Sequence, residues 1–388
     1  MSRGADLRPA MRLSAFYAAI FLVTGIQLPF WPVWLASRGL TAREIGALLA
    51  AAIWVKVLAT PAIGAVADRM GNRRLLMGAL AAAALVAYAG LLSPGGFWLL
   101  VSLNLVALTA QSALMPLGDA VTLAAVRSQG LDYGRIRLWG SVSFILASIA
   151  SGAALATSSG ERVLPLVLAG SALVLLACLA VPSTRPIRGA DRTAGLRIVV
   201  RNPGFWVLTL SGSAFQASHQ VYYGFGTLYW RSLDLSDTTI GWLWAAGVFA
   251  EIFLFWQAGP LLARLGPVRL MALGGAAGIL RWSLTASLTW LPFIAALQML
   301  HAFTFGASYI GAVHFLSRAV PSSAAASAQT LYAALCSALG GGLVMGVAGA
   351  LYSVHGGGAY YFMALLSAAG LAGTAALSRA AASDRRNL

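Results

Sequence analysis

Long apolar segments separated by short polar loops make up most of this 388-residue chain. A helix of about 20 apolar residues spans the roughly 30 Å hydrocarbon core of a bilayer, and several windows of that length carry no charge. Twelve segments follow this pattern, at about 12–37, 42–66, 75–93, 97–123, 137–158, 162–182, 204–230, 239–262, 268–288, 291–317, 324–352 and 358–379. The pattern therefore predicts an all-α membrane protein with twelve transmembrane helices.

The two halves of the chain share an internal repeat with a constant offset of 195 residues. Leu40-Thr41 and Ile45-Gly46 in the second segment correspond to Leu235-Ser236 and Ile240-Gly241 in the eighth. Parallel repeats of this kind are related by an axis along the membrane normal. We therefore expect two pseudo-symmetric six-helix bundles.

The longest polar stretch lies between the sixth and seventh segments and carries five arginines together with proline and glycine. Such a composition is typical of a linker. The predicted domains are an N-terminal bundle (1–182), a cytoplasmic linker (183–203) and a C-terminal bundle (204–388).

The basic residues are distributed very unevenly between the two sides of the predicted membrane. With a cytoplasmic N-terminus, twenty of the 26 Lys and Arg residues fall in cytoplasmic loops and termini, and four fall on the opposite side. This bias predicts that both termini are cytoplasmic in a bacterial inner membrane. It also explains the net charge of +15 without nucleic acid, because no folded basic domain is present. Cys178 and Cys336 lie in apolar segments and show no metal-ligand spacing, so we expect no metal site.

The loop between the second and third segments has the sequence Gly64-Ala-Val-Ala-Asp68-Arg69-Met-Gly71-Asn-Arg73-Arg74. This sequence resembles the loop signature of the major facilitator superfamily, G-x-x-x-D-R-x-G-R-[KR], with Asn72 as the departure from the pattern. Gly64 permits close helix packing, Gly71 permits a sharp turn, and Asp68 can accept hydrogen bonds from arginines or helix N-termini. We expect a gating loop formed by Gly64, Asp68, Arg69, Gly71, Arg73 and Arg74.

A second group of motifs narrows the resemblance. The stretch from Leu131 to Ser141 opens the fifth segment, Tyr222-Tyr223-Gly224-Phe225 lies in the seventh, and Arg281-Trp282 lies in the ninth. Together they resemble the 3-phenylpropionate:proton symporter family, which is similar to lactose and nucleoside proton symporters. The resemblance implies the major facilitator fold, import driven by the proton gradient, and a small aromatic monocarboxylate as substrate.

Four ionisable residues lie inside the predicted spans, where each charge costs about 2.5 to 3.5 kcal/mol on insertion scales and is functional by default. Lys56, Glu251 and Arg281 are near mid-depth, and Asp119 is nearer the cytoplasmic side. Lys56 and Glu251 occupy the same repeat position with opposite charge. Pairing between these two, or of Lys56 with Asp119 and Glu251 with Arg281, would neutralise the set. We expect proton coupling by these four residues and His301, with Glu251 as the proton carrier.

Aromatic and polar residues in the spans supply the candidate substrate site. Most aromatic residues near the outer ends of spans one, seven and eight are expected to form an interfacial belt: Trp31, Trp34, Tyr222, Tyr223, Tyr229, Trp230, Trp242 and Trp244. Deeper rings can stack on an aromatic substrate, and Arg281 can bind a carboxylate. The expected substrate-binding set is Arg281, Tyr223, Phe249, His219, Gln220 and Tyr17.

No phosphate-binding loop, metal cluster or nucleophile elbow stands in the sequence, so neither a primary pump nor an enzyme is expected. The expected partners are a small-molecule substrate and the lipid bilayer, with protons as coupling ion, no other cofactor, and a monomeric chain. Alternatives within transport are a proton symporter for a sugar or nucleoside, or a drug or metabolite exporter. A substrate sensor would need a signalling domain or a long tail.

Overall fold

The computed structural model describes residues 8–183, 197–321 and 324–384, and these are helical, with no strand among them. The longer α-helices of the described residues are α1 (Arg8–Ser37), α2 (Ala42–Met70), α3 (Arg73–Gly90), α4 (Phe97–Gln129), α5 (Tyr133–Leu155), α6 (Val163–Ala180), α7 (Pro203–Ala217), α8 (Gln220–Ser232), α9 (Asp237–Trp256), α10 (Ala258–Ser287), α11 (Leu291–Met299), α12 (Ser308–Ala319), α13 (Ala325–Leu335), α14 (Val344–His355) and α15 (Ala359–Asp384). Most of the predicted linker, residues 184–196, lies outside the described residues.

These helices account for the twelve predicted crossings. Nine stretches of the described chain are long and apolar enough to cross a membrane. One of them, Ser327–Ser378, contains two crossings separated by a 3₁₀ turn at Gly356–Gly358. One of the remaining two crossings is α10, which carries Arg281. The other is formed by α7 and α8 together, since each of them is too short to cross alone. The all-helical membrane architecture predicted from the sequence is thereby confirmed.

Several crossings depart from regular α-helix. Helix α7 ends at Ala217 and α8 begins at Gln220, with His219 between them. A π-helical segment, Ala302–Ala307, joins α11 to α12, and a second, Cys336–Leu343, joins α13 to α14. Turns of this kind inside α-helices are frequent at functional sites. Two of these breaks touch, because His219 Nε2 lies 3.1 Å from Thr304 Oγ1.

The chain forms two compact units. The first comprises the described parts of Met1–Leu40, Trp54–Arg188 and Asp234–Ala245, and the second those of Thr41–Ile53, Gly189–Leu233 and Ala246–Leu388. The first unit buries large side chains of α1 and α3, and the second is centred on a cluster of α7, α10 and α12 side chains. These limits differ from the halves expected from the sequence, and the domain boundaries 1–182 and 204–388 stay a prediction.

The loop between α2 and α3 turns where the motif places a glycine. Gly71 has a φ of +67°, a left-handed conformation that disfavours residues with a Cβ. Asn72, the departure from the motif, caps α3, since its side chain accepts a hydrogen bond from Leu75 N at 3.1 Å. The expectation of close packing at Gly64 is wrong, because a Cβ there would meet no heavy atom of the described residues within 4 Å.

The expected aromatic belt is largely wrong. Among its proposed members, Trp31, Trp34, Tyr222, Tyr229, Trp230 and Trp244 are buried, whereas Trp242 is 59% exposed. Trp31 stacks on Trp34 with ring centroids 4.5 Å apart and donates a hydrogen bond to Asn104 Oδ1 at 3.0 Å. The indole N–H finds a partner inside the bundle, so these rings pack between helices.

Candidate functional site

Arg281 is the centre of a polar cluster in the second unit. Its side chain, on α10, has no exposed surface. Nη1 donates to His301 Nδ1 and to Thr304 Oγ1, both at 3.1 Å, and Nη2 donates to Gln298 Oε1 at 2.9 Å. Nε is buried and has no hydrogen-bond partner in the described part of the chain. The guanidinium charge is therefore held by neutral acceptors.

Aromatic faces complete the surroundings of this guanidinium. Its carbon lies 4.8 Å from the ring centre of Tyr222 and 4.4 Å from that of Trp282. The electron-rich faces of such rings attract a cation, most strongly where water is excluded. The rings thus supply part of the stabilisation that a carboxylate would otherwise provide.

The hydrogen bonds determine which nitrogen of each histidine faces a donor or an acceptor. Because an arginine N–H can only donate, His301 Nδ1 accepts, which places the proton of the neutral ring on Nε2. Thr304 Oγ1 accepts from Arg281 and also lies 3.1 Å from His219 Nε2. His219 Nδ1 in turn donates to Phe215 O at 2.8 Å. His301 is thereby held with Nδ1 unprotonated, and a neutral His219 accepts from Thr304 at Nε2.

Glu251 connects to this cluster through His301. Its Oε2 lies 3.7 Å from His301 Nε2, the nitrogen that carries the proton. The sequence suggested a direct pair of Glu251 with Arg281, but the structure places His301 between them, in contact with both. The arrangement can transmit a change of charge on Glu251 to Arg281 through one ring.

The structure brings some predicted substrate residues together and separates others. Tyr223 stacks on His219 with ring centroids 5.6 Å apart, so both belong to the cluster. Gln220 is buried but donates to the backbone oxygen of Gln216. Phe249 is 64% exposed and, two residues before Glu251, points to another side of α9, so it lies outside this cluster and its role in substrate binding stays a prediction.

Sequence analysis missed the neutral members of the cluster. Gln298 and Thr304 bind Arg281 directly, and Trp282 packs beneath it. Gln298 and Thr304 each lie three residues from His301, so all three face the same side of the helix. This spacing was the signal for them in the sequence.

A separate cluster surrounds Asp119 in the first unit. Asp119 Oδ1 accepts hydrogen bonds from Tyr17 at 2.6 Å and Tyr133 at 3.0 Å. Arg137 lies over the Tyr17 ring, 5.2 Å from its centre. Lys56 is exposed and forms no ion pair with Asp119, so the alternative Lys56–Asp119 pair is not formed. The ring of Tyr17 was expected to stack on the substrate. Its hydroxyl group donates a hydrogen bond to Asp119.

Comparison with known proteins identifies the family. Residues 10–364 match the model of the MFS_1 like family. The chain belongs to the major facilitator superfamily. It is 32% identical over 374 residues to a probable 3-phenylpropionic acid transporter of Escherichia coli (strain K12), covering 92% of this chain and 94% of that protein. It is 28% identical to a maltose permease of Geobacillus stearothermophilus, covering 84% and 83% of the two chains.

Solved structures agree with this assignment. The crystal structure of the nucleoside transporter NupG matches with a TM-score of 0.82 over 96% of this chain and 99% of that chain, at 18% identity. A bacterial homologue of the lysosomal transporter Spinster, in an inward-facing and occupied conformation, matches with a TM-score of 0.74 over 98% of this chain and 96% of that chain, at 16% identity. The protein therefore has the major facilitator fold and is a membrane transporter by family.

The superfamily's loop signature carries one ion pair. Asp68 Oδ1 accepts from Arg73 Nη2 at 3.0 Å, across the turn at Gly71. Arg69 and Arg74 are exposed. The prediction that Asp68 accepts a hydrogen bond from an arginine is confirmed. The gating role of the loop stays a prediction.

Proposed function

We propose that this transporter imports a small aromatic monocarboxylate together with protons, by alternating access. The observation that carries the proposal is the buried guanidinium of Arg281, which is bonded to neutral acceptors and lined by aromatic rings. The similarity to a probable 3-phenylpropionic acid transporter supports the same substrate class.

A carboxylate suits Arg281 better than its present partners. A guanidinium binds a carboxylate through two parallel charge-assisted hydrogen bonds, roughly twice as strong as neutral ones. Nε still has a proton to donate, and Gln298 Oε1 is a neutral acceptor that a carboxylate can displace from Nη2. The rings of Tyr222 and Trp282 then offer faces to the aromatic body of the substrate.

Glu251 is the proposed proton carrier. When ionised, it attracts the Nε2–H of His301, 3.7 Å away, and favours the ring position in which Nδ1 accepts from Arg281. When a proton adds to the Glu251 carboxylate, its attraction for that N–H weakens and His301 can swing away from Arg281. Proton binding on Glu251 thereby frees a donor of Arg281 for the substrate, with His301 neutral throughout.

Uptake into proteoliposomes tests the substrate class. With the outside acidic, 3-phenylpropionate should accumulate above its equilibrium distribution, and collapse of the gradient by a protonophore should abolish accumulation. Its uncharged amide should enter much more slowly. Equal transport of acid and amide, or accumulation without a gradient, contradicts the proposal.

A second candidate is a proton symporter for a sugar or nucleoside. It is favoured by the fold match to NupG and by the amide and hydroxyl groups of Gln298 and Thr304, which can bind hydroxyl groups. Uptake of uridine or maltose in the same vesicles distinguishes it. Loss of preloaded compound from acid-outside vesicles would instead favour an exporter.

We also propose a bacterial inner-membrane location with both termini cytoplasmic and a monomeric chain. The distribution of arginines between the two sides of the membrane supports the orientation. Labelling of single cysteines introduced at positions 3 and 385 should require a membrane-permeant reagent. Light scattering of the purified protein tests the monomer.

A further inference from the structure

Tyr360, at the start of α15, holds a hydroxyl group in the interior of the second unit. Its side chain has no exposed surface, and its Oη has no hydrogen-bond partner in the described part of the chain. A buried hydroxyl group that gives up water and gains no partner destabilises a fold. Phenylalanine would fill the same space without that cost, so the hydroxyl group of Tyr360 calls for a partner from outside the chain.

The two tyrosines beside Tyr360 do not share this feature. Tyr229, whose ring centre lies 5.5 Å from that of Tyr360, donates a hydrogen bond to Thr285 O at 3.1 Å. The hydroxyl group of Tyr361, the next residue in the chain, lies 2.8 Å from Ser287 Oγ. The surrounding helices therefore satisfy both neighbouring hydroxyl groups and leave that of Tyr360 available.

Trp282 connects Tyr360 with Arg281. The Tyr360 ring stacks on Trp282, with ring centres 5.8 Å apart and an angle of 17° between the planes. The guanidinium carbon of Arg281 lies 4.4 Å from the ring centre of the same indole. One aromatic side chain thus contacts both the available hydroxyl group and the group proposed to bind the carboxylate.

Gly226, on α8, leaves one side of the Tyr360 hydroxyl group without a covering side chain. A Cβ at this position would lie 3.6 Å from Tyr360 Oη and 3.3 Å from Cδ2 of Tyr222. The Tyr222 ring is the second one that faces Arg281, with its centre 4.8 Å from the guanidinium carbon. Both rings that border the guanidinium therefore also lie next to Tyr360.

We propose that Tyr360 binds a hydroxyl group on the aromatic ring of the substrate, so that the preferred substrate is a hydroxylated aromatic monocarboxylate. The inference rests on the proposed function, in which Arg281 binds the carboxylate. Tyr360 Oη donates to the phenolic oxygen of the substrate, while Tyr222 and Trp282 contact its ring. An unsubstituted ring leaves the Tyr360 hydroxyl group without a partner and is bound less tightly, because a site built to hydrogen-bond a hydroxyl group discriminates against the analogue that lacks it.

Calorimetric binding to the purified full chain tests this proposal with 3-phenylpropionate and its ortho-, meta- and para-hydroxyphenyl analogues. At least one analogue should bind about tenfold more tightly than 3-phenylpropionate, as expected when one hydrogen bond satisfies a buried group. In Tyr360→Phe this preference should fall to less than about twofold. Tyr361→Phe is the matched control, since it removes the adjacent hydroxyl group, which has Ser287 as its partner, and it should retain the preference.

The outcomes separate this proposal from the proposed function. If the wild type binds 3-phenylpropionate and no hydroxylated analogue more tightly, the proposal for Tyr360 alone is overturned. If the wild type binds none of the acids, the proposed function fails, and the proposal for Tyr360 fails with it. A preference that Tyr360→Phe retains, or that Tyr361→Phe loses to the same extent, also overturns the proposal.

Thermal unfolding of the empty transporter distinguishes a structural role of the hydroxyl group. Tyr360→Phe should unfold at the same temperature as the wild type or at a higher one, because the variant removes a buried hydroxyl group without a partner. A lower unfolding temperature would show that this hydroxyl group stabilises the fold itself, and it would overturn the proposal.

Discussion

Gln298 shows how a neutral side chain keeps a buried arginine available. Its amide oxygen occupies Nη2 of Arg281, and its Nε2 donates to Ile294 O at 2.9 Å, which fixes the orientation of the amide. A carboxylate at this position would form a permanent ion pair. A neutral acceptor yields to an incoming anion because its hydrogen bond is weaker.

Gln298→Glu should therefore imitate a bound substrate. We expect the affinity for 3-phenylpropionate to fall at least tenfold, since hydrogen bonds to charged groups contribute about 1.5 to 3 kcal/mol. Binding is measured by calorimetry on the purified variant. Gln220→Glu adds the same charge at a buried amide that bonds its own backbone, and it should retain more affinity. The reverse ranking contradicts the role of Gln298.

Arg281→Lys keeps the charge and removes the planar fork. Affinity for the carboxylate should drop about tenfold, because an ammonium cannot make two parallel hydrogen bonds to it. Arg269→Lys on the same helix is the control. If the variant shifts the pH profile of uptake and leaves affinity unchanged, Arg281 acts only on Glu251 and the sugar or nucleoside candidate gains ground.

At this scale the sequence located the charges but not their partners. Arg281 and Glu251 stand out because ionisable residues are rare in apolar segments. Gln298 and Thr304 give no such signal, since neutral polar residues are common in transmembrane helices. The pairing of Lys56 with Asp119 was wrong because two tyrosine hydroxyls reach Asp119 instead.

At the scale of helices, hydrophobic pattern predicts the crossings and not their interruptions. The segment predicted at 204–230 is the broken pair α7 and α8, and the one at 291–317 contains the π-helical turn Ala302–Ala307. Hydropathy does not indicate such interruptions, because it does not depend on the backbone hydrogen bonds inside the bundle. The turn at Gly71, by contrast, was predictable because a motif marks it.

The loop between α2 and α3 gives a test at this scale. Asp68→Asn weakens the ion pair to Arg73 and should slow the conformational cycle several-fold while leaving equilibrium substrate affinity within about twofold. Counterflow rates and calorimetric binding measure the two quantities. Asp132→Asn is the control. Asp132 is a similar exposed acid at the start of α5, and an asparagine at this position still caps the helix. A loss of affinity in Asp68→Asn with an intact fold would contradict the gating role.

At the scale of the whole molecule, the internal repeat and the loop signature were sufficient to predict the superfamily and its fold. The sequence carries no equivalent motif for direction or substrate, which we propose depend on a few side chains around Arg281. The repeat related Lys56 to Glu251, and their pairing stays a prediction.

Glu251→Gln tests coupling for the whole transporter. Gradient-driven accumulation should be lost, because the amide cannot take up and release a proton, whereas exchange of labelled for unlabelled substrate should persist. Both are measured in the same proteoliposomes. Glu44→Gln, at an exposed helix start, should behave as wild type. Full accumulation by Glu251→Gln would exclude it as the carrier.

The contact of His301 with both Arg281 and Glu251 has a consequence for membrane voltage under the proposed coupling. One fixed positive and one fixed negative charge leave the empty site neutral, and a monocarboxylate anion bound with one proton leaves it neutral again. Each unit charge carried through the field gains about 2.3 kcal/mol per 100 mV, so this cycle gains nothing from the potential. Uptake of the acid should then follow the pH difference alone, at any potential set by potassium and valinomycin. A neutral sugar carried with one proton would respond to both.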